Sequence, residues 1–572
     1  MNPVRSQVCR LGAALSATPV NYTAAPFAGE LILSQTTTTA EALATNDTLP
    51  CVQELHTRFM FPFMFRRDSV TAAVSALERA TVAGRADVWK VSDPPALYLD
   101  ELTRHIRGFL FPKAGTIPSA AYLRVSAERL QQLLPKGFVV VLEDLDRARR
   151  LNSAASGESN AKLPEVVTVS VLHGPGIELF LSDQGAGVLC ISLSTGALHV
   201  AAALEFNYRL AVIRRDAAYF YVPHPRDVPE IWKRIPPAQR ETMPMPTPAT
   251  ADSGQRIGAI GATFTLNELR HELLKPLESL GHAADDDAVF QKQLSLFTVG
   301  RFDSTIDLVE ASSADWARGF MAGLAQVEEP WHAGAAPGRL PVRNCMLNRS
   351  HWAAAGLYAA AHLVADQKSP RADFAEHPFN SSRVPRVRDK YFVPYLAAEM
   401  QTLVLHRALA DTGRILGAGR RESAKRLGEL RRRLLEFTLR GQFDQVSHRH
   451  AVQRFYRMVR RAFALDGTWR ELRHVVAELD SRNVADRQER MQHAAHFIEM
   501  AVASVYFAHL MYMIEESSGE VIKTYPIARV ALVAAAAVFG LAFAFVVSWL
   551  TDRHDTPLHS VDRATESVPT GS

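Results

Sequence analysis

The stretch that decides the fold runs from His493 to Leu550, HAAHFIEMAVASVYFAHLMYMIEESSGEVIKTYPIARVALVAAAAVFGLAFAFVVSWL. Two apolar segments flank a short acidic link. Val530 to Leu550 contains no charged residue, and a helix of that length covers about 30 Å, the thickness of a bilayer's hydrocarbon layer. It opens after Pro526 and closes at Trp549, ahead of Asp552 and Arg553, an interfacial aromatic with a charged exit.

Ala494 to Ile514 is long enough to span but carries Glu499, Ser504 and His509. On a helical wheel started at His496, Glu499 falls at about 300°, Tyr506 at about 280° and His509 at about 220°. Ionisable groups in an apolar medium are disfavoured by several kcal/mol unless they face a bundle interior or water. The shared arc therefore makes Glu499, Ser504, Tyr506 and His509 candidates for lining a pore. An amphipathic helix lying in the lipid interface is the competing reading.

The link holds Glu515, Glu516 and Glu520 against Lys523. Its carboxylates either raise the local concentration of cations at an outer mouth or belong to a solvated turn. Arg482, Arg487 and Arg490 precede the first segment, and Arg553 and Arg563 follow the second. By the positive-inside rule this multi-pass hairpin keeps both termini in the cytoplasm.

The rest of the 572 residues reads as a water-facing α+β body, with room for two or three domains. Residues 1–50, rich in Thr, Ala and Ser, read as a poorly ordered arm. Residues 51–300 form a mixed α/β cytosolic domain, with strand-like runs at Phe59 to Phe65, Phe138 to Leu142, Gly176 to Ser182 and Val188 to Leu193. A Pro-rich linker lies near 235–250. Residues 301–493 read as a helical region and long α-helical stalk, with the chain turning helical after Ser350.

Within that region Leu427, Leu430, Leu434 and Phe437 make one apolar stripe and Val452, Tyr456, Val459 and Phe463 the next. The arginines at 431–433 read as a solvated face, with an ion vestibule or anionic lipid as the competing role. Residues 494–550 are the transmembrane hairpin and 551–572 a cytoplasmic tail.

A net charge of +4 on a chain this long gives no footprint for nucleic acid. The four cysteines lie far apart without a CxxC pair, which suggests neither a zinc site nor a disulfide framework. The apolar run after Arg10 is too short for a signal peptide. No HExxH, GxSxG, Walker-type GxxxxGK or kinase set occurs, so an enzyme is not supported and no cofactor is indicated. Asp285, Asp286 and Asp287 form an acidic run whose ordinary reading is a solvated loop.

The order of parts, with IELFLSDQGAGVLCIS, LEFNYRL and RRRLLEFTLRGQFDQVSHRHAVQRFYRMV, resembles divergent bacterial CorA-like divalent-cation channels. The resemblance implies a homopentamer in the bacterial inner membrane, the first span lining the pore and Mg2+ or a related ion passing. The family's Gly-Met-Asn signature is replaced here by Tyr512, Met513, Ile514 and Glu515. Two functional expectations follow. One is an oligomeric divalent-cation channel or transporter in contact with membrane lipid. The other is a membrane-anchored sensor or effector whose cytosolic domain binds a ligand or partner and whose hairpin is an anchor or a membrane-disrupting element.

Overall fold

The computed structural model describes residues 50–65, 70–100, 102–111, 120–135, 138–142, 166–171, 176–212, 218–223, 233, 257, 259–280, 294–327, 343–367, 380–417, 420–440 and 444–517, plus isolated helical positions between 530 and 542. The N-terminal arm up to residue 49, the Pro-rich linker, the acidic run 285–287 and the tail 551–572 lie outside the described residues.

The body begins with β1 (Cys51–Val52) and β2 (Glu54–Met64), followed by α1 (Val70–Arg79), β3 (Trp89–Val91), α2 (Ala96–Leu99) and α3 (Arg104–Leu110). Next come β4 (Ala120–Val125), α4 (Ala127–Leu133), β5 (Val139–Val141), β6 (Val166–Val171), β7 (Ile177–Ser182), β8 (Ala186–Thr195) and β9 (Leu198–His199). They lead into α5 (Val200–Ala211), β10 (Tyr219–Tyr221), β11 (Thr263–Phe264) and α6 (Leu266–Leu274). After these stand β12 (Ser295–Phe302), α7 (Leu308–Ala311), α8 (Asp315–Gln326), β13 (Arg343–Asn348), β14 (His351–Ala355) and β15 (Ala359–Ala365). Four helices close the described chain: α9 (Asn380–Gly417), α10 (Arg420–Arg440), α11 (His450–Ala462) and α12 (Leu465–Ser517).

One large mixed sheet organises these elements, in the order β11-β10-β5-β6-β8-β2-β12-β15-β14-β13, with β7 also on β8 and β4 and β3 beyond it. β2 is antiparallel to β8 and β12, whereas β12 and β15 are parallel. Side chains alternate along a strand, so β2 sends Leu55, Phe59, Phe61 and Phe63 to one face and Arg58 and Met60 to the other. The first face packs with Leu77 of α1, Phe206 of α5, Leu273 of α6 and Phe320 of α8 into one apolar core. The second face lies under α9 and α11, whose Phe392, Tyr395, Phe455 and Tyr456 are fully buried.

The strands β14 and β15 are built largely from alanine, and Ala353, Ala354, Ala355, Ala359, Ala360 and Ala361 are all 0% exposed. Small side chains let the helices on either face approach closely. At Gly356 a Cβ would stand 2.2 Å from the Ala325 carbonyl oxygen of α8, so the turn between the two strands admits only glycine. Sequence preference alone reads this stretch as helical, yet helices take over only at Asn380. α9 then runs through Pro385 and Pro394 instead of starting after the second, each proline withdrawing one backbone donor from the helix.

The chain divides into two compact units, Met1–His474 and Val475–Ser572. In the first, the stripe Leu427, Leu430, Leu434 and Phe437 is buried, as are Val452, Tyr456, Val459 and Phe463.

The second unit corrects an expectation. Among the described residues no helix is long and apolar enough to cross a membrane, so the two-helix transmembrane hairpin expected over 494–550 is not what the structure shows. Ala494 to Ile514 is no separate segment but the last part of α12, a continuous 53-residue helix whose earlier turns are heavily charged. Within the apolar part His496, Glu499 and His509 keep polar groups on the helix, which lowers its hydropathy. Val530 to Leu550 is described only at scattered positions, and most of it lies outside the described residues.

Candidate functional site

The second face of the sheet carries a layer of ionisable groups sealed beneath α9. Arg58, at the centre of β2, is 1% exposed. Its Nη2 donates to Asp389 Oδ1 at 2.6 Å, and its Nη1 donates to Tyr98 Oη at 2.6 Å and lies 3.4 Å from Glu178 Oε2. Tyr98 and Tyr122 both donate to Glu178 Oε1, at 2.9 and 2.6 Å. Arg388 forks onto both oxygens of Asp389 at 2.8 Å. Five elements thus meet in one network: β2, β4, β7, α9 and α2, the last contributing Tyr98.

Aromatic rings enclose this network. The Arg58 guanidinium carbon stands 3.8 Å from the centre of the Phe392 ring, and Phe111, Phe180 and Phe297 pack around it. Burial pulls the Arg58 pKa down, but Tyr98, Glu178 and Asp389 outweigh it and raise the guanidinium above its ordinary value. Burial pushes the Glu178 carboxyl up, against the lowering effect of Arg58 and the two tyrosine donors. Removing one member would leave an uncompensated charge in a dry interface. The network therefore fixes how α9 sits on the sheet more than it adds net stability.

Two further groups share that interface. Glu399 of α9 accepts a hydrogen bond from Ser295 Oγ of β12 at 2.7 Å, and burial raises its carboxyl to about 7. On β14 and β15, His351 Nε2 and His362 Nδ1 are 2.8 Å apart, under the rings of Tyr391 and Phe455. Burial, with the charges of Arg383 and Lys390, holds His351 down to about 3. The pair is neutral and shares a single hydrogen bond at ordinary pH.

The residues singled out in the sequence stand elsewhere. Glu499, Ser504, Tyr506 and His509 all lie on α12. Glu499, Tyr506 and His509 are exposed, Glu499 lies 3.3 Å from His496 Nδ1, and Ser504 Oγ donates to the Met500 carbonyl at 2.8 Å. At 100° per residue Ser504 points about 140° away from Glu499, so the polar arc is made by Glu499, Tyr506 and His509 without it. Glu515 and Glu516 are in the last turn of α12, with side chains outside the described residues, and Glu520 lies outside them altogether. No group of three or more His, Cys, Asp or Glu that could hold a metal ion occurs among the described residues.

What α12 does display is hydrocarbon. Phe497, Ile498, Val502, Val505, Phe507, Leu510 and Met513 are about half or more exposed, Val505 at 70%. Their positions run around the helix instead of along one stripe.

No protein-family model, curated protein or solved structure matches this chain.

Proposed function

We propose that this chain is the subunit of a homo-oligomeric sensor or effector, assembled through the part of α12 between Met491 and Met513, with the α+β body as its regulatory domain. The observation that carries the reading is the exposed hydrocarbon of α12, which runs around the helix with Glu499, Tyr506 and His509 set among it. Apolar side chains spread around a helix are covered only when it is surrounded, and one flat partner surface leaves much of them in water. Copies of the same helix supply that surrounding, and with 53 residues α12 extends about 80 Å, enough for many turns of contact. The mass of the detergent-solubilised particle tests this. Several copies, five in a CorA-like build, support it; a single copy at all protein concentrations removes it.

A second reading is favoured by the polar arc. In a bundle of α12 helices, Glu499, Tyr506 and His509 of each copy turn to the same side, which suits capture of a divalent cation such as Mg2+. Binding of Mg2+ by the assembled protein, lost in Glu499→Ala, is the expected outcome. Binding that survives this substitution takes the arc out of the site.

A further inference from the structure

α10 has a second face that the assembly reading does not use. Its inner side, Leu427, Leu430, Leu434 and Phe437, is buried. On the outer side, at 100° per residue, Lys425, Gly428, Arg431, Arg432, Leu435 and Leu439 fall within an arc of about 120°. All six are exposed, Leu435 at 60% and Leu439 at 67%. The acidic residues of the helix, Glu422, Glu429 and Glu436, fall to one flank of this arc.

We propose that the outer face of α10 docks on a bilayer surface rich in anionic lipid, Leu435 and Leu439 entering the headgroup layer while Lys425, Arg431 and Arg432 meet the headgroup charges. Charge complementarity selects this occupant. Cations and large apolar side chains share one strip, with carboxylates only along its flank, where Glu436 stands 4.0 Å from Arg432, the pattern of helices that lie in a membrane interface. An acidic protein partner would match the cations but leave the two leucines half in water, and a purely apolar partner would cover charged groups of Lys425, Arg431 and Arg432 that keep water now. Gly428, with nothing within 4 Å of where its Cβ would stand, keeps the middle of the strip flat. The long stems of Lys and Arg add apolar reach around the leucines while their charged ends stay at headgroup level.

The test is flotation of the full-length protein with vesicles of phosphatidylcholine alone and of phosphatidylcholine mixed with phosphatidylserine. Binding through the apolar side chains of α12 is common to both, so the quantity read is the phosphatidylserine-dependent increment. Each cation near an anionic surface contributes about 1 kcal/mol, so removing one lowers that increment about five-fold. Arg431→Glu with Arg432→Glu abolishes it, and added salt suppresses it in the wild type. In a second measurement, Leu439→Cys carries an environment-sensitive fluorophore, whose emission shifts to the blue on phosphatidylserine vesicles and not on phosphatidylcholine. Equal flotation on both vesicles, an increment that survives the double charge reversal, or a label that stays in water overturns the proposal. So does a double charge reversal that changes only the particle's mass, which marks the face as a contact between copies. Particle mass is the readout for assembly through α12, so the two ideas fail separately.

Discussion

The guanidinium of Arg58 and the ring of Phe392 are stacked 3.8 Å apart, joining the centre of the sheet to the helix that covers it. Two residues far apart in the chain are held by one contact that is at once ionic and aromatic, because Asp389 lies one turn before Phe392 on α9 and also bonds Arg58. Arg58→Met keeps the volume but leaves Glu178 and Asp389 without their shared cation. Loss of one partner of a buried pair destabilises by about 3–5 kcal/mol, to be read as a lowered urea midpoint with unchanged slope. A loss under about 1 kcal/mol would falsify the account of Arg58 as the shared cation.

Glu399 gives the body a pH dependence of definite sign. The folded carboxyl keeps its proton up to about 7, whereas the unfolded one loses it near its ordinary value of 4.5. Between those values the folded state holds more protons, so stability is full below the ordinary carboxylate range and falls as pH rises through about 7, by about 3 kcal/mol in all. Glu399→Gln removes that slope. Melting temperatures of the two proteins across this window decide the matter.

His351 acts in the opposite sense. Its folded pKa is held at about 3 against an ordinary 6.5, so stability is full above pH 6.5 and is lost as pH falls toward 3. In the interval shared with Glu399 the contributions of these two groups oppose one another. His351→Gln therefore tilts the profile one way and Glu399→Gln the other. Parallel profiles for the two variants would contradict this.

Two glycines make a matched pair of tests. Gly356→Ala sets a Cβ 2.2 Å from a carbonyl oxygen of α8, which side-chain movement cannot relieve, and is expected to destabilise by several kcal/mol. Gly108 of α3 has nothing within 4 Å of its Cβ direction, and Gly108→Ala should stabilise by up to about 1 kcal/mol through helix propensity. Thermal denaturation of the two variants reads both signs at once.

Ile498→Asp with Val505→Asp sets two carboxylates on one side of α12, seven residues apart and so nearly in line. If copies assemble there, the detergent-solubilised particle shrinks toward a single chain, while far-UV circular dichroism of the body is unchanged. An unaltered mass would mean that the contact lies elsewhere.

The α+β body was legible because its strands are short apolar runs, VVVL and GIELFLS among them, and the helical stripes from Leu427 to Phe463 keep strict spacing. The alanines of β14 and β15 were not, since alanine favours helix and only close packing on both sheet faces makes it a strand residue. The buried ionic network was hidden by distance along the chain: Arg58, Glu178 and Asp389 meet only once the sheet and α9 are assembled. A signal did exist, a charge at the edge of or inside an apolar run, at Arg58 just before FMFPFM and at Glu178 in IELFLS. At the apolar end of the chain run length suggests a hairpin, whereas the described residues there form the last part of one helix that ends at Ser517.

The unlike faces of the sheet give the body a seam. Lifting α9 and α11 would bring carboxylates and guanidinium groups into contact with solvent that welcomes them, whereas peeling away α5 and α8 bares hydrocarbon. Transient opening should therefore begin along the ionic side, and amide hydrogens of β12 and β15 should exchange in step with those of α9, ahead of the helices on the oily side.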